Sequence, residues 1–367
     1  MIHRIKSCFH TEKTNLGRQT ELDVARGFSV ICMVLTHTYS YYSSWTENWA
    51  KSFFDIVCGG PLAAAVFMFC MGINLSYSKR NQPKDFIRRG FYLLGIGLLL
   101  SVLRSLVPDM LYYYFEGSTT FIEDLPYLLQ YMLSKVDIFQ FAGLFHIAFG
   151  LMKQAKLSDR KILLLAVLFL IIGSIFIDFS TESTELDILL GFFILTHGRV
   201  FFPFLNWFII PVSGYLFGQI WLRCRDKETF YRTITPVSWI LALLYLAFSR
   251  GYHYLDYYYA LRPVEALFAL ITAFAMLGTG YFVSRHCKKL TGAMCWLSRE
   301  ITAMYCVHWV LIPNLYVLVT NLISDSLFPL ADIWIAPLGF LMLALSCMLI
   351  AFYRSITQRK RLLRHSV

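Results

Sequence analysis

The sequence predicts an all-α polytopic membrane protein of about ten transmembrane helices, with both termini in the cytoplasm. Three observations predict it. First, 57% of the 367 residues are hydrophobic and only 15% are charged, whereas a soluble domain averages about 25% charged residues; mean hydropathy is +0.56. Second, apolar runs recur from residue 22 to residue 353, leaving no room for a soluble domain. Third, the cations between those runs alternate from side to side. The chain therefore reads as one transmembrane domain, 1–367, with short cytoplasmic tails at 1–21 and 354–367.

A helix needs about 17–25 residues to cross the hydrocarbon. The runs at 22–42, 57–78, 88–108, 136–153, 161–179, 200–222, 235–249, 263–284, 298–321 and 333–353 supply ten candidates. The first opens on Asp23 and Arg26 and carries His37 in its far half. The third opens on Arg88 and Arg89 and holds Arg104 near its outer end. A connection rich in acids follows, in which Tyr127 to Ser134 reads as a short interfacial or re-entrant segment. The fourth run is near the minimum length, and Asp137 is placed to cap it. A second acidic connection, 179–199, leads to the sixth run, where Pro203, Pro211 and two glycines predict a kinked helix. The seventh run, 235–249, is short, and the tyrosine-packed stretch 249–263 follows it. Those tyrosines fit an interfacial aromatic belt, or a rim on which sugars stack. Glu265 falls in the first turn of the eighth run, where a carboxylate is favourable. His308 lies in the ninth.

The net charge of +10 raises nucleic acid as a partner, but its placement argues against one. The tail 1–21, the connections 79–89, 153–161, 223–232 and 285–299, and the tail after 353 hold 26 of the 33 Lys and Arg residues. The opposite connections hold five: Lys51, Lys135, Arg199, Arg250 and Arg262. By the positive-inside rule the rich side is cytoplasmic, which places both termini there and requires an even number of spans. The same charge attracts anionic lipid. The nine cysteines include no C-x-x-C pair, and neither a disulfide framework nor a metal site is expected. No cleavable signal pattern is present, so the first span is expected to act as an uncleaved insertion signal. The one N-x-S/T sequon, at Asn74, falls inside a span, which favours a bacterial plasma membrane.

Ionisable groups within spans are costly and mark function or packing. Eleven residues separate Arg26 from His37; at about 100° and 1.5 Å per residue they share a helix face some ~16 Å apart. Asp23 lies near the same line. It reads either as a local i,i+3 partner of Arg26 or, with Arg26, as part of a site for a cytosolic anion. His37 reads as a packed polar contact or as a proton-handling group. His308 lies nine residues beyond Arg299, a rise of ~13 Å, so the two imidazoles are expected at similar depth, where a pair can act in acid–base chemistry. Arg104 is expected to snorkel outward, to pair with Asp109 or Glu265, or to hold an acidic acceptor. His146 lies nearer the cytoplasm. Lys79, Arg80, Lys84, Arg88 and Arg89 crowd one short connection, and some of them suit phosphates by charge and geometry. No P-loop or Rossmann fingerprint occurs.

The stretch "LDVARGFSVICMVLTHT" (22–38) resembles the opening of the transmembrane acyltransferase superfamily. The segments 59–80, 86–100, 136–151 and 204–219 are similar to the heparan-α-glucosaminide N-acetyltransferase branch. "ITAMYCVHWVLI" (301–312) resembles a late span of the acyltransferase type 3 proteins. The resemblance implies transfer of an acyl group, usually acetyl, from cytosolic acyl-CoA to an acceptor across the membrane. His37 falls where the type 3 branch has its catalytic histidine, and Arg26 and Asp23 match the charged residues of the motif. Two features depart. Arg88 and Arg89 are adjacent, whereas the type 3 branch separates its two arginines by two residues. The heparan branch has Asn at the position of His37 and its catalytic histidine in the loop beyond, and here that loop contains none.

These observations set the expectations. His37 is the general base and His308 assists or orients it. Arg26, Arg88, Arg89 and Asp23 hold the coenzyme A phosphates. Arg104, Glu265 and His146 contact the acceptor, a glycan or other envelope molecule. The donor is acetyl-CoA or another acyl-CoA, no metal is used, and the partners are the lipid bilayer and these two substrates. A homodimer is compatible with the sequence and not required by it. The alternative is a proton-coupled transporter or flippase of a small anionic or lipid-linked molecule, using the same histidines as a relay.

Overall fold

The computed structural model describes residues 2–44, 49–196, 200–249, 258–323 and 327–365. Arg199, Arg250 and the tyrosines of 250–257 lie outside the described residues. Among the described residues the architecture is all-α; three isolated bridges are the extent of its β pairing.

The helix Thr20–Tyr42 (α1) stands in the middle of the bundle. Glu21 and Asp23 in its first turn complement the positive end of its dipole. Leu22, Val24, Ala25, Val30 and Val34 are buried around it, because five other helices close on it. The first of these is Lys51–Tyr77 (α2). Its first half, Lys51–Ala64, is wound in wide turns, and Ala65 N–H reaches back to Gly60 O. Such π-type winding shifts the direction of side chains and is frequent at functional sites. Next in the chain is Pro83–Phe115 (α3), which opens with proline in its first turn, where the missing N–H costs nothing. A second wide turn, Val102–Leu106, interrupts α3 just before Pro108 and carries Arg104.

Phe121–Ser134 (α4) is a true helix, longer than the expected Tyr127–Ser134 segment. Ile138–Gln154 (α5) runs antiparallel to α3 and is capped by Asp137, whose carboxylate accepts from Ile138 N–H. The two helices approach through glycines: a Cβ on Gly90 would lie 2.6 Å from Gly143 O. Asp159–Ile175 (α6) follows. The predicted kink in the sixth run is present as a break at Phe208, between Phe204–Trp207 and Ile209–Trp221 (α7).

Lys227–Ser249 (α8) begins eight residues before the run at 235–249 predicts. Its first two turns carry Lys227, Glu228 and Arg232, which an apolar count does not see. Pro263–His286 (α9), Lys288–Arg299 (α10), Ile301–Leu322 (α11) and Ile335–His365 (α12) complete the chain. α2, α9, α10, α11 and α12 all pack on α1. The segment after 353, expected as a tail, continues α12 as helix.

Six helices are long and apolar enough to cross a membrane by length and composition: α2, α3, α8, α9, α11 and Asp332–Gln358 around the start of α12. Of the other four expected spans, α1 mixes Asp23, Arg26, His37 and several Ser, Thr and Tyr residues into its apolar run, and α5, α6 and α7 are 17, 17 and 13 residues long. Large apolar side chains point outward from several helices, including Phe91, Leu98 and Leu99 of α3 and Leu164 and Leu168 of α6. Those faces fit hydrocarbon rather than water, and the protein is a membrane protein.

The basic segments gather at one end of the bundle. Lys227 Nζ bonds Glu21 at 2.8 Å, His10 N–H donates to Arg223 O at 3.0 Å, and Arg354 pairs with Glu300 at 2.7 Å. Asn15 reaches Trp221 O at 3.0 Å. The tail, the 222–232 connection and the α10–α11 corner therefore share one face.

Candidate active site

His37 of α1 and His308 of α11 meet. His37 Nδ1 lies 2.7 Å from His308 Nε2. His308 Nδ1 in turn lies 2.5 Å from Met304 O. A carbonyl only accepts, so His308 carries its proton on Nδ1, and in the neutral ring Nε2 is then an acceptor. His37 must donate from Nδ1, which leaves His37 Nε2 without a proton. His308 is fully buried. His37 faces a cavity of about 560 Å³ shared with Ser40, Tyr41, Arg104 and Tyr259.

Trp309 covers one side of His37, with ring centroids 3.8 Å apart. Arg104 Cζ lies 4.6 Å from the centroid of the same indole, within cation–π range. Arg104 is buried and forms an ion pair with Asp137. This replaces the expected snorkelling and the expected pairing with Asp109 or Glu265. The wide turn in α3 presents the guanidinium to the N-terminus of α5. Asp137 has two tasks, since its other oxygen takes Ile138 N–H at 2.6 Å. Arg104 Nε has no hydrogen-bond partner among the described residues, and an unsatisfied buried donor costs about 1–3 kcal/mol. A ligand oxygen in the cavity would relieve that cost.

A second cavity, of about 990 Å³, opens at the basic end. Arg26, Arg80, Arg88, Arg89 and His146 line it, together with Tyr305. His146, expected with the acceptor group, therefore belongs with the arginines, and its Nδ1 is bonded to Ala142 O at 2.7 Å. Asp23 is not a lining group. It accepts from Arg26 at 2.5 Å, from Arg18 at 2.7 Å and from Ser298 at 3.0 Å, so it holds Arg26 in place. The local i,i+3 pair expected from the sequence is present, and Arg26 also lines this cavity. Glu265 is buried in the first turn of α9 and lines neither cavity, so it does not join Arg104.

The line from Arg26 to His37 is not an open cleft. Val30 and Val34, between them, are fully buried. The two cavities instead share a wall of side chains from α2, α5 and α11. Sequence reasoning also missed Tyr305 and Trp309. Tyr305 stands one turn before His308 on the same helix face, a spacing that the sequence displays. Among the described residues no group of three or more His, Cys, Asp or Glu side chains gathers as for a metal ion.

Residues 18–263 match a family model described as heparan-α-glucosaminide N-acetyltransferase, catalytic. The matched stretch includes Arg26, His37, Arg88, Arg89, Arg104, Asp137 and His146 and ends before His308. No curated protein and no solved structure matches the chain.

Proposed function

The chain belongs to the heparan-α-glucosaminide N-acetyltransferase catalytic family, and from that premise we propose that it moves an acyl group, acetyl first of all, from cytosolic acyl-CoA to a hydroxyl or amine of a glycan or other envelope acceptor. The reading includes ten spans in a single domain, both termini in the cytoplasm and a bacterial plasma membrane. The 26-to-5 division of cations in the sequence and their gathering at one end of the bundle support it.

One observation carries the chemistry: His37 lines a cavity and its Nδ1 is held by His308, whose own Nδ1 is tied to a carbonyl, so that in the neutral pair His37 Nε2 keeps its lone pair. A general base needs a free lone pair and a fixed ring. The acceptor X–H gives its proton to His37 Nε2 as X attacks the thioester carbonyl. The C–S bond then breaks, and the CoA sulfur leaves with that proton. Arg26, Arg88 and Arg89 at the other cavity suit the phosphates of the donor by charge and by the fork of the guanidinium. Arg104 suits an acceptor oxygen, and His308 orients the base.

The test is purified protein supplied with labelled acetyl-CoA and a panel of amino sugars and glycans. His37→Ala is expected to lower CoA release by about 10²–10⁴-fold while donor binding persists. Unchanged turnover in His37→Ala would overturn the reading. Absent CoA binding, together with proton-coupled uptake in vesicles, would favour the transporter instead.

A further inference from the structure

The two cavities abut. Phe67 of α2, Ile138 of α5 and Tyr305 of α11 line both of them. On one side of this wall stand Arg26, Arg88 and Arg89; on the other stand His37 and Arg104. The reacting atoms of donor and acceptor must come within about 3–3.5 Å of each other. An acyl group anchored through phosphates at the arginines therefore has to pass between these three side chains.

Two of the three are pinned. Tyr305 is buried, with Phe139 at 4.8 Å and the rings of His308 and His37 edge-on at 5.6 and 6.2 Å. Ile138 is β-branched and stiff at χ1, and its backbone N–H is tied to Asp137, which is itself tied to Arg104. Phe67 is partly buried and packs on the apolar cluster that includes Phe139 and Tyr305, but among the described residues no ring contact fixes its orientation. Of the three side chains it is the one to which the turning motion is assigned.

We propose that Phe67, Ile138 and Tyr305 form an acyl gate: Phe67 turns to admit the thioester, and the width left beside the two fixed side chains selects acetyl over longer acyl groups. This inference rests on the acyl-transfer reading above. A hydrophobic pocket discriminates by about 10–200-fold for one methylene, and the width in question is the one between the turned Phe67 ring and the two fixed side chains.

The experiment compares acetyl-, propionyl- and butyryl-CoA with wild-type, Phe67→Ala and Phe67→Leu protein, reading both CoA release and acylated acceptor. Binding of CoA itself, which has no acyl group, is measured alongside and is expected to change less than about twofold, because the phosphate contacts lie away from the wall. The expected result is a rise of about 10-fold or more in the butyryl-to-acetyl ratio for Phe67→Ala, with a smaller rise for Phe67→Leu, which keeps most of the volume and carries the test if Phe67→Ala does not fold. A ratio unchanged in both variants, with acetyl transfer intact, would overturn the gate and leave the acyltransferase reading standing. Absence of CoA release from wild-type protein would overturn the reading and the gate together.

Discussion

His37 and His308 are joined nitrogen to nitrogen at 2.7 Å with ring planes within 3° of each other. Their centroids are 5.0 Å apart, so the rings lie edge to edge in one plane rather than stacked. The arrangement gives His308 a defined task, which is to accept from His37 Nδ1 and fix its tautomer. Gln at 308 can still offer a carbonyl oxygen to that N–H, and Leu cannot. His308→Leu is expected to lower kcat by about 10²-fold with little change in KM, and His308→Gln to recover much of the loss. Equal loss in both variants, seen in steady-state acetyl transfer, would point to plain packing.

Arg104 and Asp137 form a buried pair in which each is the other's counter-charge. Asp137→Ala leaves the guanidinium buried and alone and is expected to destabilise the protein by about 3–5 kcal/mol. The double variant Arg104→Met, Asp137→Leu is expected to be more stable than Asp137→Ala and inactive toward the acceptor. Unfolding in detergent, read by intrinsic fluorescence, measures the first effect, and acyl transfer measures the second.

Arg88 and Arg89 open on the cavity at the basic end, the one proposed for the donor. A hydrogen bond to a charged group is worth about 1.5–3 kcal/mol, so Arg88→Gln is expected to raise KM for acetyl-CoA by about 10-fold while kcat stays near wild type. The wild-type KM should also rise with ionic strength, and less steeply in the variant. A kcat defect without a KM change would move Arg88 out of the donor site.

Gly90 marks the close approach of α3 and α5. A methyl there meets Gly143 O at 2.6 Å and Ile147 N at 3.0 Å, both backbone atoms, and backbone does not yield cheaply. Gly90→Ala is expected to cost about 1–3 kcal/mol. At Gly95, farther along the same helix, a methyl would meet only open space, so Gly95→Ala is expected to be neutral or to stabilise by up to ~1 kcal/mol. The pair of thermal unfolding curves distinguishes helix contact from general helix propensity.

Much of the bundle is readable in the chain because depth in a helix is arithmetic. Counting residues from flanking arginines puts His37 and His308 at one level, and they touch. The class of the protein follows from its apolar runs. What escapes the sequence has local causes. The run at 235–249 starts late because Lys227, Glu228 and Arg232 belong to the helix but not to the hydrocarbon. The wide turns at Lys51–Ala64 and Val102–Leu106 depend on how neighbouring helices press together, and no spacing announces them. An isolated helix offers Arg104 only an outward path; its partner Asp137 comes from a helix 33 residues away in sequence. Polarity alone groups Glu265 and His146 with Arg104, and the packing separates all three.

The thin partition at Phe67, Ile138 and Tyr305 also has an electrical consequence. In the ten-span arrangement proposed above, with water entering the two recesses from opposite ends, each recess would carry the potential of its compartment inward. The voltage of an energised membrane then falls across one layer of side chains instead of about 30 Å of hydrocarbon. Moving one elementary charge through that drop is worth about 2.3 kcal/mol per 100 mV. In that arrangement the three residues would act as insulation, and enlarging the opening would let ions leak through the protein.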